Sequence, residues 1–350
     1  MKKYIYLSIY TLCLLAAGNN LLAQGCVAVR NMTSTCTMPF DSTMNISAWQ
    51  FSLNYRFFRS FRHFRGSHEE AERVTQHTEV INHDHSVILG ASYFHNRWSV
   101  AATIPFLYID RSSLYEHDQT NRYHTKSKGL GDVRITGYYS VIPHNYKGHL
   151  TFGLGFKLPT GNYNYKDYFH RPSGLELRTV DQSIQPGDGG LGIITEVDLS
   201  KNIFTQGYVY LNGIYMLNPR ETNGTSTNRS SSYESVMSVA DQYFVRAGVN
   251  YNFITGLQVA LGGRLEGIPV HDLIGGSNGF RRPGYIISAE PSVYYAAGKH
   301  SVGVNIPIAL ARNRTQSVPD IQRTQETGEY RHGDAAFADW LLSVTYAYRL

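Results

Sequence analysis

The last thirteen residues, Ala338 to Leu350, alternate apart from Leu341. Leu350, Tyr348, Tyr346, Val344, Leu342 and Trp340 are large and apolar; Arg349, Ala347, Thr345, Ser343 and Asp339 between them are small or polar. A period of two predicts a strand with two different faces. With aromatics at both ends of its apolar face, such a strand suits the wall of a lipid-facing barrel. An edge strand of a soluble sandwich shows the same alternation, so the rest of the chain has to decide.

The pattern recurs along the chain and predicts twelve strands: 47–58, 85–94, 98–110, 131–142, 149–159, 190–200, 203–217, 241–253, 256–268, 284–297, 300–311 and the C-terminal one. In 149–159 the outward set is Leu150, Phe152, Leu154, Phe156 and Leu158. The connections alternate between long and short. Tight turns are expected at His95-Asn96-Arg97, Lys201-Asn202, Ile254-Thr255 and Gly298-Lys299, with long polar segments between those pairs. Sorting of loops by parity is a property of outer-membrane barrels, whose long loops all face outward and whose short turns face the periplasm. A soluble sandwich has no reason for it. Strands of roughly 9–11 residues also suit a tilted membrane crossing. The fold expected is therefore all-β, a transmembrane antiparallel outer-membrane β-barrel over residues 47–350. Closure is required because lipid offers no hydrogen bonds to an open sheet edge. Pro105, Pro159, Pro291 and Pro307 fall within or at the ends of strands. Lacking an N–H, they should mark strand ends, bulges or kinks.

The N-terminus supports export. Lys2 and Lys3 precede an apolar stretch from Ile5 to Ala17, and Leu21 to Gly25 offers a small-residue cleavage site. Residues 1–23 read as a signal peptide. Acylation of Cys26 is disfavoured, because Ala23 stands where lipoprotein signals carry a bulky aliphatic. Cys26 and Cys36 remain as an even pair in an exported chain, for which a disulfide is the default. Residues 24–46 carry no strong pattern and form either a periplasmic tail or a plug.

Composition changes little in this picture. Tyr is abundant at 26, and no later run of apolar residues is long enough for a membrane helix. The net charge of +5, or +3 without Lys2 and Lys3, is too small and dispersed to argue for nucleic acid.

On this register the inward positions include Arg56, Arg134, Lys157, Arg246 and Arg264, and also Asp132, Glu196, Asp198, Glu266 and Glu290. On a lipid face each would cost about 2–4 kcal/mol near the midplane; inside the barrel, water or partners solvate them. They are expected to line the lumen. Their balance of sign argues against a strongly charge-selective pore. It leaves two readings open: a pathway for a neutral solute, or an ion-pair network that braces the barrel.

Gly129-Leu130-Gly131-Asp132-Val133 opens one strand, and Phe152-Gly153-Leu154-Gly155-Phe156-Lys157-Leu158-Pro159-Thr160-Gly161 ends another. Together with Gln185-Pro186-Gly187-Asp188-Gly189-Gly190, these segments resemble the outer-membrane family named for the meta-pathway of phenol degradation. That family comprises transporter-like barrels distantly similar to the FadL/TodX channels for hydrophobic compounds. The resemblance spans about residues 98–350. It implies passage of small, often aromatic or hydrophobic molecules, with outer-membrane lipid and a small solute as the only partners. The chain departs from the family in its His-rich first loop and Cys-bearing N-terminus.

Other chemistries find less support. His63, His68, His77, His83 and His85 cluster with Glu69, Glu70, Glu79 and Asp84, but no His-x3-His pair or Cys partner accompanies them, and a solvated loop explains them. No metal or cofactor is expected. An outer-membrane hydrolase would need a nucleophile and base; no Gly-x-Ser-x-Gly occurs. The chain is read as a channel rather than an enzyme, with a structural or adhesive barrel as the alternative.

Overall fold

Alternation carries the architecture, with apolar residues outside. In Gly148–Leu158, Phe152, Leu154 and Phe156 are exposed while Gly153, Gly155 and Lys157 are buried. A water-soluble sheet shows the reverse. The computed structural model describes residues 47–145 and 147–350. The signal segment, the 24–46 tail and the Cys26–Cys36 pairing lie outside the described residues.

Sixteen strands matter here. They are β1 (Ala48–Arg65), β2 (Ile81–His95), β3 (Trp98–Ser113), β4 (Tyr123–Leu130), β5 (Val133–Asn145), β6 (Gly148–Leu158), β7 (Lys166–Arg171), β8 (Gly174–Thr179), β9 (Gly192–Phe204), β10 (Gly207–Leu217), β11 (Gln242–Ile254), β12 (Leu257–Ile268), β13 (Gly284–Ala297), β14 (His300–Asn305), β15 (Ile308–Asn313) and β16 (Ala335–Arg349). β7 and β8 form a separate hairpin; the others build a closed barrel of twelve antiparallel staves. β4 with β5 makes one stave, and β14 with β15 makes another. The seam is β1 on β16, in register from Gln50 opposite Arg349 to Phe57 opposite Leu342. Closure leaves the membrane-height ladder without an edge. Trp49 packs on Tyr93 at 5.0 Å and Trp98 on Tyr139 at 4.6 Å near the short-turn end. Phe57 meets Trp340 at 5.9 Å near the long-loop end. These rings form two interfacial girdles.

The eleventh stave is broken where one uninterrupted strand is expected, and the fourth runs beyond its expected start at 131 as β4, formed in part by the segment 111–128 read as polar loop. Proline explains both. Thr103 of β3 pairs with Arg134 of β5, but Phe106 pairs with Leu130 of β4. Pro105 sits at the switch, and its carbonyl accepts the Gly131 N–H at 2.8 Å. β13 likewise switches at Pro291, pairing Ser292 with Asn305 and Ala289 with Ile308, and Ile306-Pro307 is the break. Just above that second break Ala309 packs with Phe64, Ile286, Ala335 and Phe337. At the first, among the described residues β4 pairs only with β3, and the β5–β6 ladder stops at Val133 opposite Leu158.

One turn differs from the expected place. Lys201 and Asn202 stay in the ladder opposite Val209 and Tyr208, and the chain reverses at residues 205–206. The longer hairpin places the Phe204 ring 6.1 Å from Tyr251, in the girdle.

Parts of the long loops fold inward, while the β7–β8 hairpin stays largely exposed. Residues 159–191 carry the β7–β8 hairpin and then a 3-10 turn, Gln182–Ile184, whose Ile184 is fully buried with Val180. Residues 314–334 contain a helix, α1 (Val318–Thr327), where the alternation predicts only loop. Its signals are local: a capping box between Ser317 and Asp320, Pro319 in the first turn, and Gly328 at the C-cap with φ of 70°.

Candidate functional site

Inside the long-loop half of the barrel lies a cavity of about 130 Å3. Wall residues Phe58, Ile109, Met216 and Ile268, with Met237 from a loop, give it an apolar side. Asp132, Arg134, Lys157 and Asp188 form a charged corner. The inward-folded segment 182–188 is its lid toward the loops.

The charged corner grows from the broken stave. With no strand partner at the break, Asp132 turns inward and accepts the N–H groups of Gly161 at 2.9 Å and Asp188 at 3.1 Å. Thr160 bridges the break: its hydroxyl donates to the Gly131 carbonyl at 2.8 Å and accepts from the Val133 N–H at 2.9 Å. Gly161 and Gly187 pass each other so closely that a Cβ on Gly161 would stand 2.7 Å from the Gly187 Cα. Arg134 and Lys157 are direct cross-strand neighbours, a repulsive pair by itself. The Asp188 carboxylate accepts from the Lys157 ammonium and offsets that repulsion. The three Gly-rich segments of the sequence therefore meet at one point.

The lid is pinned by ion pairs. Asp181 caps the 3-10 turn through the Ser183 N–H at 2.9 Å. It also accepts a two-armed contact from Arg282 at 2.9 and 2.8 Å, with Arg111 of β3 at 3.8 Å. Burial alone would raise this carboxyl; Arg111 and Arg282 outweigh it and hold it well below the usual carboxylate range. Ser127 of β4 donates to the Ile184 carbonyl, and Gln182 donates to the Ser238 carbonyl at 2.8 Å. Arg281 makes a similar two-armed contact with Asp272 at 2.7 and 2.6 Å.

Below the cavity, toward the short turns, the charges pair along the wall rather than across the barrel. Glu290 accepts from Arg246 at 3.2 Å and Arg264 at 3.3 Å, and Arg264 reaches Glu266 at 2.8 Å. Asp198 meets His149 at 2.8 Å, and Glu196 accepts from the Tyr138 hydroxyl at 3.1 Å. Arg56 is buried, its guanidinium 5.3 Å from the Phe58 ring. Of the ten charged residues singled out in the sequence, only Asp132, Arg134 and Lys157 meet at the cavity. Asp188, Arg281 and Arg282, with Asp84 of the His-rich segment, complete its charged lining, and Asp181 and Arg111 pin the lid. Asp188 stands in one of the Gly-rich motifs; the others lie in loops or at strand ends where no periodicity marks them. The His-rich segment is scattered: His63 accepts the Val80 N–H at 2.8 Å and contacts Asp334 at 2.5 Å, whereas His85 sits by Tyr55 at 2.8 Å.

No family model and no curated protein sequence matches the chain. Among solved structures, the chain is similar to an outer-membrane channel from Pseudomonas putida F1, with a TM-score of 0.62 at 13% identity over 89% of this chain and 99% of that one. The β domain of the Bordetella autotransporter BrkA gives 0.45 at 11% identity, over 87% of this chain and 100% of that one. The toluene transporter TodX of P. putida gives 0.40 at 8%, over 87% and 90%. The first likeness shows the barrel fold; the other two are too distant to carry more.

Proposed function

We propose that this protein is an outer-membrane channel for passive uptake of a small hydrophobic or aromatic solute, its long loops facing outward. One observation carries the reading: a partly apolar cavity hangs inside a closed barrel, at the point where the barrel wall is interrupted. A brace or adhesin needs neither feature. The solute enters among the long loops and rests against Phe58, Ile109, Met216 and Ile268. The polar network around Glu290 fills the wall beneath it, so the easier path for an apolar molecule is sideways. The break at Gly131-Asp132 lies level with Ile104 and Leu89, whose exposed side chains belong to the lipid-facing band. Thr160 is its closure. The motif resemblance to the phenol-degradation barrels supports the substrate class. The ten inward charges are proposed to line or brace the lumen.

The test is uptake of toluene and of a phenolic solute by cells carrying the protein against cells lacking it. Met216→Trp, which fills the cavity from the wall, should cut uptake several-fold while the barrel still shows heat-modifiable migration. Equal uptake with and without the protein, for every apolar and aromatic solute tried, defeats the channel reading and leaves an adhesive or structural barrel.

A further inference from the structure

Above the apolar band, one sector of the outer wall changes character. On β1 the outward residues run Trp49, Phe51, Leu53, Tyr55 and Phe57, and then Arg59. Trp49 to Phe57 covers roughly 26 Å of strand at ~3.3 Å per residue, which, tilted, accounts for most of the band. Arg59 is therefore the first residue beyond the hydrocarbon on the long-loop side. The register carries the same row across four strands: Arg59 lies opposite His83, His83 opposite Asp110, and Asp110 opposite Lys126. Lys128 is two residues below Lys126 on the same face, level with Tyr108. His124 is two residues above it.

The row is accessible and cationic. The side chains of Lys126 and His124 are 54% and 53% exposed, and Arg59 and Lys128 are exposed as well. Arg59 stacks on Phe61, its guanidinium 4.3 Å from the ring. Asp110 lies within the row and takes His124 at 2.5 Å and Lys126 at 3.8 Å; Asp167 borders it, accepting the Lys126 N–H at 2.6 Å. Three permanent cations, Arg59, Lys126 and Lys128, thus face two carboxylates in and just below a row about 14 Å wide at ~4.8 Å per strand. Elsewhere the same end of the barrel is different: β10, β11 and β13 present Leu217, Tyr243 and Tyr285 there.

We infer that this patch of β1–β4 binds the phosphate groups of the outer leaflet's phosphorylated glycolipid, lipid A. The height of the row is the height of a headgroup. The cations are fixed on a rigid ladder, and the exposed apolar residues below them, Tyr55, Val87 and Phe106, meet the acyl chains. A phosphate oxygen accepts hydrogen bonds from Arg59, Lys126 or Lys128, and its charge offsets their mutual repulsion. The inference rests on the outer-membrane reading. It adds a lipid held beside the broken stave, since Lys128 and Leu130 belong to the strand that ends there.

The test uses the purified full-length barrel in detergent. Thermal unfolding and native mass spectrometry are run with phosphorylated lipid A, with the same lipid dephosphorylated, and with inorganic phosphate at matched concentration. Phosphorylated lipid A should raise the unfolding midpoint and remain bound, with the affinity falling as salt rises; the other two should do neither. Arg59→Gln, Lys126→Gln and Lys128→Gln combined should weaken binding at least tenfold. Asp110→Asn, which removes the carboxylate between His124 and Lys126 and keeps the side-chain size, should tighten it. Equal binding of the dephosphorylated lipid, equal protection by inorganic phosphate, or unchanged affinity in both variants overturns the inference. Binding is read without transport, so a failure of solute uptake defeats the channel reading alone, and unchanged lipid affinity defeats this one alone.

Discussion

The hydroxyl of Thr160 donates to the carbonyl oxygen of Gly131 at 2.8 Å, across a place where the barrel wall loses its ladder. The same hydroxyl accepts from the Val133 N–H, so a single side chain stands in for two backbone partners. This makes residue 160 a closure rather than an ordinary loop position.

Thr160→Val keeps the shape and removes both bonds. The unmet backbone groups should cost about 1–3 kcal/mol. The thermal midpoint should fall while the barrel still folds, and flux of an apolar solute should rise. An unchanged midpoint together with unchanged flux would show that the break needs no closure.

Gly161→Ala attacks the neighbouring crossing. The added carbon would stand 2.7 Å from the Gly187 backbone, and backbone gives way poorly. Overpacking of this kind costs about 1–3 kcal/mol. Protease nicking between residues 160 and 190 should increase, with the staves protected.

Asp181→Asn retains the cap on the 3-10 turn but removes the charge that Arg111 and Arg282 surround. Arg111 keeps its two-armed contact with Glu116, so weakening the charge-assisted bonds to Asp181 should cost about 1–3 kcal/mol. The lid should detach before the barrel unfolds, giving two thermal transitions and a higher single-channel conductance. A single, wild-type-like transition would exclude the pin.

Acid should do the same. Burial would raise the Asp181 and Asp320 carboxyls, but Arg111 and Arg282 in the first case, and Arg314 in the second, leave both below the ordinary range. Burial would raise Asp334 too, but His63 and Arg73 hold it low. A carboxyl with a depressed folded pKa stabilises the docked loops fully above its unfolded value, near 4. That stability is lost as the pH falls through the lower folded value. Conductance in planar bilayers should therefore hold steady from pH 7 to about 5 and rise only below about 4. A rise between pH 6 and 5 would point to other groups.

Glu290→Ala should act on the wall. Arg246 and Arg264 both rely on this carboxylate, which is 1% exposed. Removing it should lower the unfolding midpoint and increase conductance through the lower lumen. Wild-type values for both would mean that the network neither braces nor obstructs.

The chain's own pattern was enough for the number and order of the staves, though not for the breaks at Gly131-Asp132 and Ile306-Pro307. β13 begins and ends where its alternation does, at Gly284 and Ala297, and the long-short sorting of connections holds around the whole barrel. The inward parity of Lys157 or Glu266 was readable from neighbours two residues away, because a strand turns its side chains with period two and lipid tolerates only one kind of face. The capped helix after Ser317 was also written locally, in a signal that the polar character of its surroundings obscured.

What only the tertiary structure decided is who meets whom. Asp132 is recognisably inward in the sequence, but its partners, the Gly161 and Asp188 amides, lie 29 and 56 residues away. Asp181 and Arg282 are separated by 101. Their loops carry no period, since nothing repetitive such as lipid presses on them; their course follows from closure of the barrel, which gathers distant chain segments at one mouth. The surroundings of the wall are uniform, so local alternation reveals which face of each stave points outward. The contents of the lumen are set by contacts between remote segments, and those exist only once the seam between β1 and β16 has closed.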